Sequence, residues 1–309
     1  MRITIENLSY TYDRRGRGRG RGRGRFDETI EVNALQGVSC TIESGDFVGI
    51  MGQTGCGKTT LIQLIAGLLT PTAGRICLDG QDINDRSYDR NVLRQAIGVV
   101  FQYPEQQLFA ATVENDVAFG LKYSGLSANA IGERVKWALE TMGFDFSKVR
   151  KQSPLALSGG EKRRVAIAGV LAVQPKIIIF DEPIAGLDPY GRQDFLELVA
   201  KLNDNGTTII MISHNMNALA KYTKHLLVLE DGRLIMAGET RAIFLSLNND
   251  LQVRGIRRAI TEPQHVAALI AKHRKCQCQD SFRDDVVTYD DLISALKGYL
   301  LGVGGGGSA

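Results

Sequence analysis

The chain has 309 residues, 44% of them hydrophobic, with 37 basic and 34 acidic side chains and a formal charge of +3. That apolar content is enough for a full core in one large domain with an appendage, which excludes a disordered or fibrous protein. No apolar run approaches the ~18 residues of a membrane span and no signal-peptide pattern opens the sequence, so the chain is expected neither to cross a membrane nor to be secreted.

In chain order, two early strands flank an abnormal segment. Arg14-Arg15 is followed by five Gly-Arg pairs ending at Arg25. These seven arginines carry the positive balance, because the remainder holds 30 basic and 34 acidic residues, a net of −4. Glycine alternating with like charge cannot bury apolar surface, so residues 13–26 are expected to form a mobile loop. A tolerated loop expansion, a contact with anionic lipid headgroups and an RNA-binding segment are three open readings of it.

Phe47-Val48-Gly49-Ile50 has strand character, and Thr59-Thr60-Leu61-Ile62-Gln63-Leu64-Ile65 begins a helix-period pattern. Between them, Gly52-Gln53-Thr54-Gly55-Cys56-Gly57-Lys58-Thr59 fits the phosphate-cradling P-loop, G-x-x-x-x-G-K-[ST]. Gly52, Gly55 and Gly57 let the backbone N–H groups turn inward at the positive end of a helix. Lys58 adds a point charge for the β- and γ-phosphates, and the Thr59 hydroxyl suits Mg²⁺. Ile177 to Phe180 is an apolar run of the kind found in the middle of a parallel sheet, and ligand chemistry collects at the carboxyl ends of such strands. Asp181, at that end, is suited to Mg²⁺, and Glu182 to orienting or deprotonating an attacking water. Thr208 to Ile212 is a similar run, followed by Ser213 and His214.

Leu157-Ser158-Gly159-Gly160-Glu161 lies between the P-loop and the Ile177–Glu182 run. With that order of motifs the chain resembles the ATP-binding cassette (ABC) ATPases over residues 2 to about 245. The resemblance implies an α/β fold: a mostly parallel core sheet with helices, an N-terminal antiparallel part and a helical signature subdomain over about 88–165. It implies ATP and Mg²⁺ as ligands. Ser158, Gly159 and Gly160 resemble the signature motif, Gln102 the Q-loop glutamine, Asp188 the D-loop aspartate and His214 the switch histidine. Tyr12 sits where the family carries the aromatic that stacks on adenine, with Tyr10 a near rival. The catalytic set is then Lys58, Gln102, Glu182 and His214, and the Mg²⁺ ligands are Thr59, Gln102 and Asp181. The nucleotide contacts are Tyr12, residues 52–60 including Thr60, and Ser158, Gly159, Gly160 and Asp188. The resemblance also implies a head-to-tail dimer, with the P-loop of one subunit and the signature of the other closing over one ATP.

Phe101-Gln102-Tyr103-Pro104-Glu105-Gln106-Gln107-Leu108-Phe109 and Lys162 to Ala172 resemble energy-coupling-factor (ECF) transporter ATPases, closer to the A-prime type. That branch implies an importer of a vitamin or a transition-metal ion. The implied partners are an A-type paralogue forming a heterodimer, a membrane T-component and a substrate-binding S-component, at the cytoplasmic face of the membrane. The exposed Pro, Leu and Phe of the Q-loop region are expected to form the groove for the T-component. No specific nucleic acid is expected. Another ABC transporter class, or a nucleic-acid-associated ABC ATPase suggested by the arginine run, are the alternatives.

Residues 246–301 are expected to form a helical extension, either pairing subunits or docking on its own cassette. Its last helix starts at Thr288-Tyr289-Asp290-Asp291, with Leu292, Ile293, Leu296, Tyr299 and Leu300 on one face. Residues 302–309 read as a flexible Gly/Ser tail. The five cysteines, at 40, 56, 77, 276 and 278, form no framework, which fits a reducing compartment. His273, Cys276 and Cys278 are weak evidence for a metal. Cys56 stands where the family usually has Ser, and Ile184 where Thr is usual. A thiol inside the anion nest is expected to alkylate readily without nucleotide and to be shielded by ATP.

Overall fold

The computed structural model describes residues 1–15, 29–122, 124–249, 261–267 and 285–303. The Gly-Arg pairs, His273, Cys276, Cys278 and residues 304–309 lie outside them, whereas Gly302 and Val303, expected to begin the flexible tail, belong instead to the last helix. Two sheets organise the cassette. The first is antiparallel and built from β1 (Ile3–Arg15), β2 (Thr29–Ile42), β4 (Ala73–Leu78) and β5 (Gln81–Asp82), in the order β2-β1-β4-β5. Strand β1 continues through Asp13, Arg14 and Arg15, which pair with Glu31, Ile30 and Thr29, so the β1–β2 hairpin includes the start of the arginine run.

The second sheet has the order β10-β9-β3-β8-β7-β6, with β3 (Phe47–Gly52), β6 (Ile97–Val100), β7 (Ile177–Asp181), β8 (Thr208–Ile212), β9 (His225–Glu230) and β10 (Arg233–Glu239). All its pairings are parallel except that of β10 with β9. Every residue of β7 and β8 is buried, as strands covered on both faces require. Successive residues alternate between two cores. Ile178, Phe180, Ile209 and Met211 pack with the helices on one face, whereas Ile177, Ile179, Ile210 and Ile212 pack with the antiparallel sheet and α1 (Lys58–Ile65) on the other.

The helical subdomain comprises α3 (Val113–Ala118), α4 (Ala128–Thr141), α5 (Phe146–Val149) and α6 (Gly159–Ala172), preceded by α2 (Arg90–Ala96). Helix α6 starts with a capping box: Ser158 and Glu161 bond each other's backbone N–H, and the Ser158 hydroxyl donates to Glu161 Oε2 at 2.6 Å. Helices α7 (Pro189–Asp204) and α8 (Met216–Tyr222) follow β7 and β8. Among the described residues no helix is long and apolar enough to cross a membrane.

Helix α9 (Thr240–Asn249) runs through position 245, so the cassette and its extension share a helix. Residues 261–267 and α10 (Tyr289–Val303) then pack on the same chain's cassette. Gln264 Nε2 donates to Phe244 O at 2.9 Å, Thr261 Oγ1 donates to Val287 O at 2.6 Å, and Glu262 N donates to Asn217 Oδ1 at 3.1 Å. Leu292 and Ala295 of α10 are buried with Val286 and Ala267, whereas Ile293 is 47% exposed. The apolar face is therefore narrower than the sequence pattern suggests.

Asp291 is the hinge-pin of this docking. Its Oδ2 accepts from Arg241 Nη1 at 2.8 Å and from the Val287 and Thr288 N–H groups at 3.0 and 2.9 Å. Burial works against its charge, but the hydrogen bonds from Thr288, Arg241 and Val287 outweigh that and hold its pKa down to about 2. A carboxylate depressed in the fold adds stability above its unfolded pKa of ~3.9, and that stability is lost as pH falls toward 2. Asp291→Asn should therefore loosen residues 285–303 by on the order of 1 kcal/mol at neutral pH, discounted for partial exposure. Hydrogen exchange across this segment should be faster in the variant at pH ~7, and the difference from wild type should shrink below the unfolded pKa of ~3.9 and vanish only near pH 2, where Asp291 protonates in the fold.

Candidate nucleotide site

The parallel register brings four strand ends to one edge. Ile50 aligns with Ile212, Ile212 with Asp181, and Val100 with Phe180, so the segments that follow β3, β8, β7 and β6 converge. They surround a cleft of ≈ 770 Å³ lined by Tyr12, Thr54, Gly55, Gly57, Lys58, Thr59, Thr60, Gln102, Asp181, Glu182 and His214. These are residues that the sequence singled out, from both sheets and four loops.

The glycine turn is sterically required. Gly57 caps α1 with φ +102°, and a Cβ there would lie 2.4 Å from Ala34 O. At Gly52 a Cβ would lie 2.3 Å from Leu229 O. Lys58, 7% exposed, donates from Nζ to Gly52 O at 2.7 Å and Gln53 O at 2.8 Å, so its ammonium is held over the turn. Gly52, Gln53 and Cys56 are not on the cleft wall, and only their backbone can serve an anion there. Cys56 is a correction to the expected reactivity. Its side chain is 3% exposed and packs in the core with α1, and burial raises the thiol pKa more than neighbouring Lys58 lowers it. Such a thiol is inert in the fold.

Thr59 Oγ1 donates to Asp181 Oδ2 at 3.2 Å. With Gln102 nearby on the same cleft, these are all oxygen donors, the set that suits a hard cation shared with phosphate oxygens. Burial raises the Asp181 pKa, opposed by the Thr59 hydrogen bond and by Lys58 and His214. Burial also raises that of Glu182, opposed mainly by His214. Glu182 Oε1 lies 3.4 Å from His214 Nε2 but, among the described residues, makes no hydrogen bond, while Oε2 accepts from the His214 N–H at 3.3 Å. The Glu182 backbone is left-handed, with φ +51°, a conformation that costs a non-glycine residue ~1 kcal/mol or more. Its N–H donates to Ile212 O at 3.0 Å, which anchors the bend to β8.

Tyr12 lines the cleft, and its hydroxyl lies 3.2 Å from Thr60 Oγ1. Tyr10 meets it edge-to-face at 4.8 Å but packs against the core instead. Val32, Asn33, Arg192 and Asn215 also line the cleft and were missed. A signal was available for Asn215, which follows His214 and caps α8 by accepting from Ala218 N.

Ser158, Gly160 and Asp188 lie away from the cleft, on a separate groove between α6 and α7. Ser158, Gly159 and Gly160 are exposed. Asp188 caps α7, accepting from Gly191 N at 2.8 Å. A Cβ on Gly159 or Gly160 would meet nothing within 4 Å, and neither has positive φ. Glycine is a poorer helix former than alanine, and no contact or backbone conformation among the described residues requires it at either position. On the Q-loop side, Phe109 and Phe119 are 65% and 54% exposed and meet edge-to-face at 4.8 Å. Pro104 and Leu108 instead pack inward, so the exposed apolar surface is aromatic rather than the expected mixture.

Comparison with known proteins agrees with this geometry. The family described as ABC transporter matches residues 35–185. A protein of Symbiobacterium thermophilum named energy-coupling factor transporter ATP-binding protein EcfA2 is 44% identical over 270 residues, covering 87% of this chain and 90% of its own. Its namesake in Clostridium acetobutylicum is 46% identical over 245 residues, covering 79% and 82%. Among solved structures, cbiO1 of Clostridium perfringens, part of the ABC transporter complex cbiONQ, aligns with TM-score 0.65 and 34% identity over 83% of this chain and 96% of its own. The cassette MJ0796, solved as a post-hydrolysis dimer bound to ADP and Pi, aligns with TM-score 0.65 and 29% identity over 77% and 98%. The chain therefore belongs to the ATP-binding proteins of ABC transporters, in their energy-coupling factor branch, and is an ABC-type ATPase.

Proposed function

We propose that this chain is the ATP-hydrolysing subunit of an ECF importer and works as half of a head-to-tail pair with an A-type cassette paralogue. The observation that carries the pairing is the contrast between its glycines. Gly52 and Gly57 are demanded by the fold, whereas Gly159 and Gly160 sit exposed with open space around them, away from the cleft. Bare backbone at a helix start is suited to close approach by a phosphate, and because these glycines lie away from their own subunit's cleft, a phosphate held by a second subunit fits them.

Within the cleft, Tyr12 would stack the base, the turn at 52–60 and Lys58 would hold the phosphates, and Thr59, Asp181 and Gln102 would hold Mg²⁺. Bound Mg²⁺ neutralises phosphate charge. Glu182, with an unpartnered buried oxygen, takes the proton of the attacking water, and His214 orients it and the γ-phosphate. The left-handed bend fixes the carboxylate where the strand ends, so little reorganisation is needed at the moment of reaction. The exposed aromatic surface of Tyr103, Phe109 and Phe119 is the docking surface for a membrane T-component, and the extension supports the pairing of the two cassettes. The transported solute, a vitamin or a transition-metal ion, is bound by an S-component. This assembly holds the chain at the cytoplasmic face of the membrane.

Purification of the chain from mildly solubilised membranes should recover a second cassette ATPase and a multi-span protein. Phe109→Asp should lose the multi-span protein and keep the cassette. Recovery with RNA and no membrane partner would instead support a nucleic-acid-associated role. Glu182→Gln should cut ATP turnover by at least ~100-fold while keeping ATP binding and trapping the closed pair. Because the Glu182 pKa is raised, its base form is lost on acidification at a pH above the ordinary carboxylate range. The acid limb of wild-type kcat should lie there, and it should vanish from the residual rate of Glu182→Gln. Gly160→Ala should leave the melting temperature unchanged or raised, yet lower turnover at the site whose P-loop belongs to the other subunit, measured by pairing it with a partner of known competence.

A further inference from the structure

A buried guanidinium joins three functional segments of this chain. Arg163 lies in the second turn of the signature helix α6 and is 7% exposed. Its Nη1 donates to Ala185 O at 2.8 Å and its Nη2 donates to Pro183 O. Both carbonyls belong to the loop that immediately follows Glu182 and its left-handed bend. A planar fork holds two carbonyls by separate nitrogens in one rigid plane, whereas a lysine ammonium that reaches two carbonyls does so from a single atom on a flexible stem.

Its third nitrogen is unused. Arg163 Nε is buried without a hydrogen-bond partner among the described residues, and so is Glu105 Oε2. Glu105 belongs to the 3-10 turn Pro104–Gln107, which packs against α6 just after Gln102. Burial disfavours the Arg163 charge, and Glu105, on the turn packed against α6, is the group that favours it most. A buried guanidinium N–H and a buried carboxylate oxygen left without hydrogen bonds are each costly, and a bond between them, formed by a shift of the turn toward α6, would relieve that cost. The turn adjoins the proposed docking surface of Tyr103 and Phe109, so a membrane partner acts on it directly.

We propose that Arg163 is a positioning residue that fixes Glu182 through the Pro183 and Ala185 carbonyls, and that Glu105 makes this grip depend on the 104–107 turn. Nε and both Nη atoms share one rigid plane, so a bond from Nε to Glu105 reorients the fork that holds the catalytic loop. Helix α6 begins at Ser158, so the same residue ties the signature serving one composite site to the base of the other. The inference rests on Glu182 acting as the base.

The test uses the purified transporter with its copurifying partners. Arg163→Lys should lower kcat about tenfold and leave the ATP KM within about twofold, because the P-loop is untouched. Glu105→Gln should lower kcat about threefold alone and by nothing further when added to Arg163→Lys, the non-additivity of a coupled pair. Added to Glu182→Gln, Arg163→Lys should leave the ATP-trapped closed pair forming at the same ATP concentration. A raised KM with kcat intact, or loss of trapping, would mean that Arg163 serves nucleotide binding or closure, and would overturn the proposal. Equal losses from Glu105→Gln in both backgrounds would overturn the coupling to the turn. Wild-type turnover by Glu182→Gln would sink the assignment of the base itself, whatever Arg163→Lys does. If Arg163→Lys unfolds the subunit, seen as a lowered melting temperature, Arg163→Gln is scored by the same three readouts.

Discussion

The register of the parallel sheet is the constraint on which the site depends. Ile50, Ile212 and Asp181 align across β3, β8 and β7, and β6 ends beside Phe180. Lys58 and Thr59, Gln102, Asp181 and Glu182, and His214 all lie at or just beyond the ends of these strands, and Tyr12 alone of the set reaches the cleft from within a strand, β1 of the other sheet. A slip of one residue in β7 would turn Phe180 and Asp181 to opposite faces and separate the carboxylate from Thr59. The alternation of Ile177 and Ile179 with Ile178 and Phe180 between two different cores resists that slip, because every misregistered residue would exchange one packed environment for another. Catalytic geometry here is a consequence of apolar packing several residues away.

Much of this was legible in the sequence because it rests on local chemistry. A glycine turn before a helix, a run of isoleucines ending in two carboxylates and a histidine after a second such run each specify their own backbone. Their convergence follows from sheet topology once the strands are recognised. What remained hidden depends on contacts distant in sequence. Arg163 reads as one more basic residue in Lys162-Arg163-Arg164, and only the packing of α6 against the loop after β7 makes it a buried fork on Pro183 and Ala185. Cys56 reads as a thiol in an open loop, but its side chain turns into the core beneath α1. Ile293 belongs to a plausible apolar stripe, yet it is exposed while Leu292, Ala295 and Leu296 of the same helix pack inward.

Two kinds of glycine separate what the chain needs to fold from what it needs from a partner. At Gly52 and Gly57 the neighbouring backbone leaves no room for a side chain, so glycine there is explained inside one subunit. At Gly159 and Gly160 the surroundings are open, and the helix would be more stable with alanine. The capping box of Ser158 and Glu161 already satisfies the helix start, so the glycines are not needed for capping either. That helix start therefore stays open to close approach from outside the subunit, which is the observation the proposed pairing rests on.

The same logic bears on how energy leaves the cleft. Glu182 is held in a left-handed conformation at a strand end, and such backbone strain persists only where surrounding contacts over-determine it. Two of those contacts come from the sheet and the switch segment, through Ile212 O and the His214 N–H. A third is local, from the Ala185 N–H to Glu182 O at 3.2 Å, and the loop that makes it is held through Pro183 O and Ala185 O by Arg163, which is anchored in the helical subdomain rather than in the sheet. The strained residue is thus pinned by two bodies at once. A relative movement of helical subdomain and sheet must either carry Glu182 with it or release part of its restraint, so a mechanical change in the helical subdomain has a short covalent and hydrogen-bonded route to the residue proposed as the base.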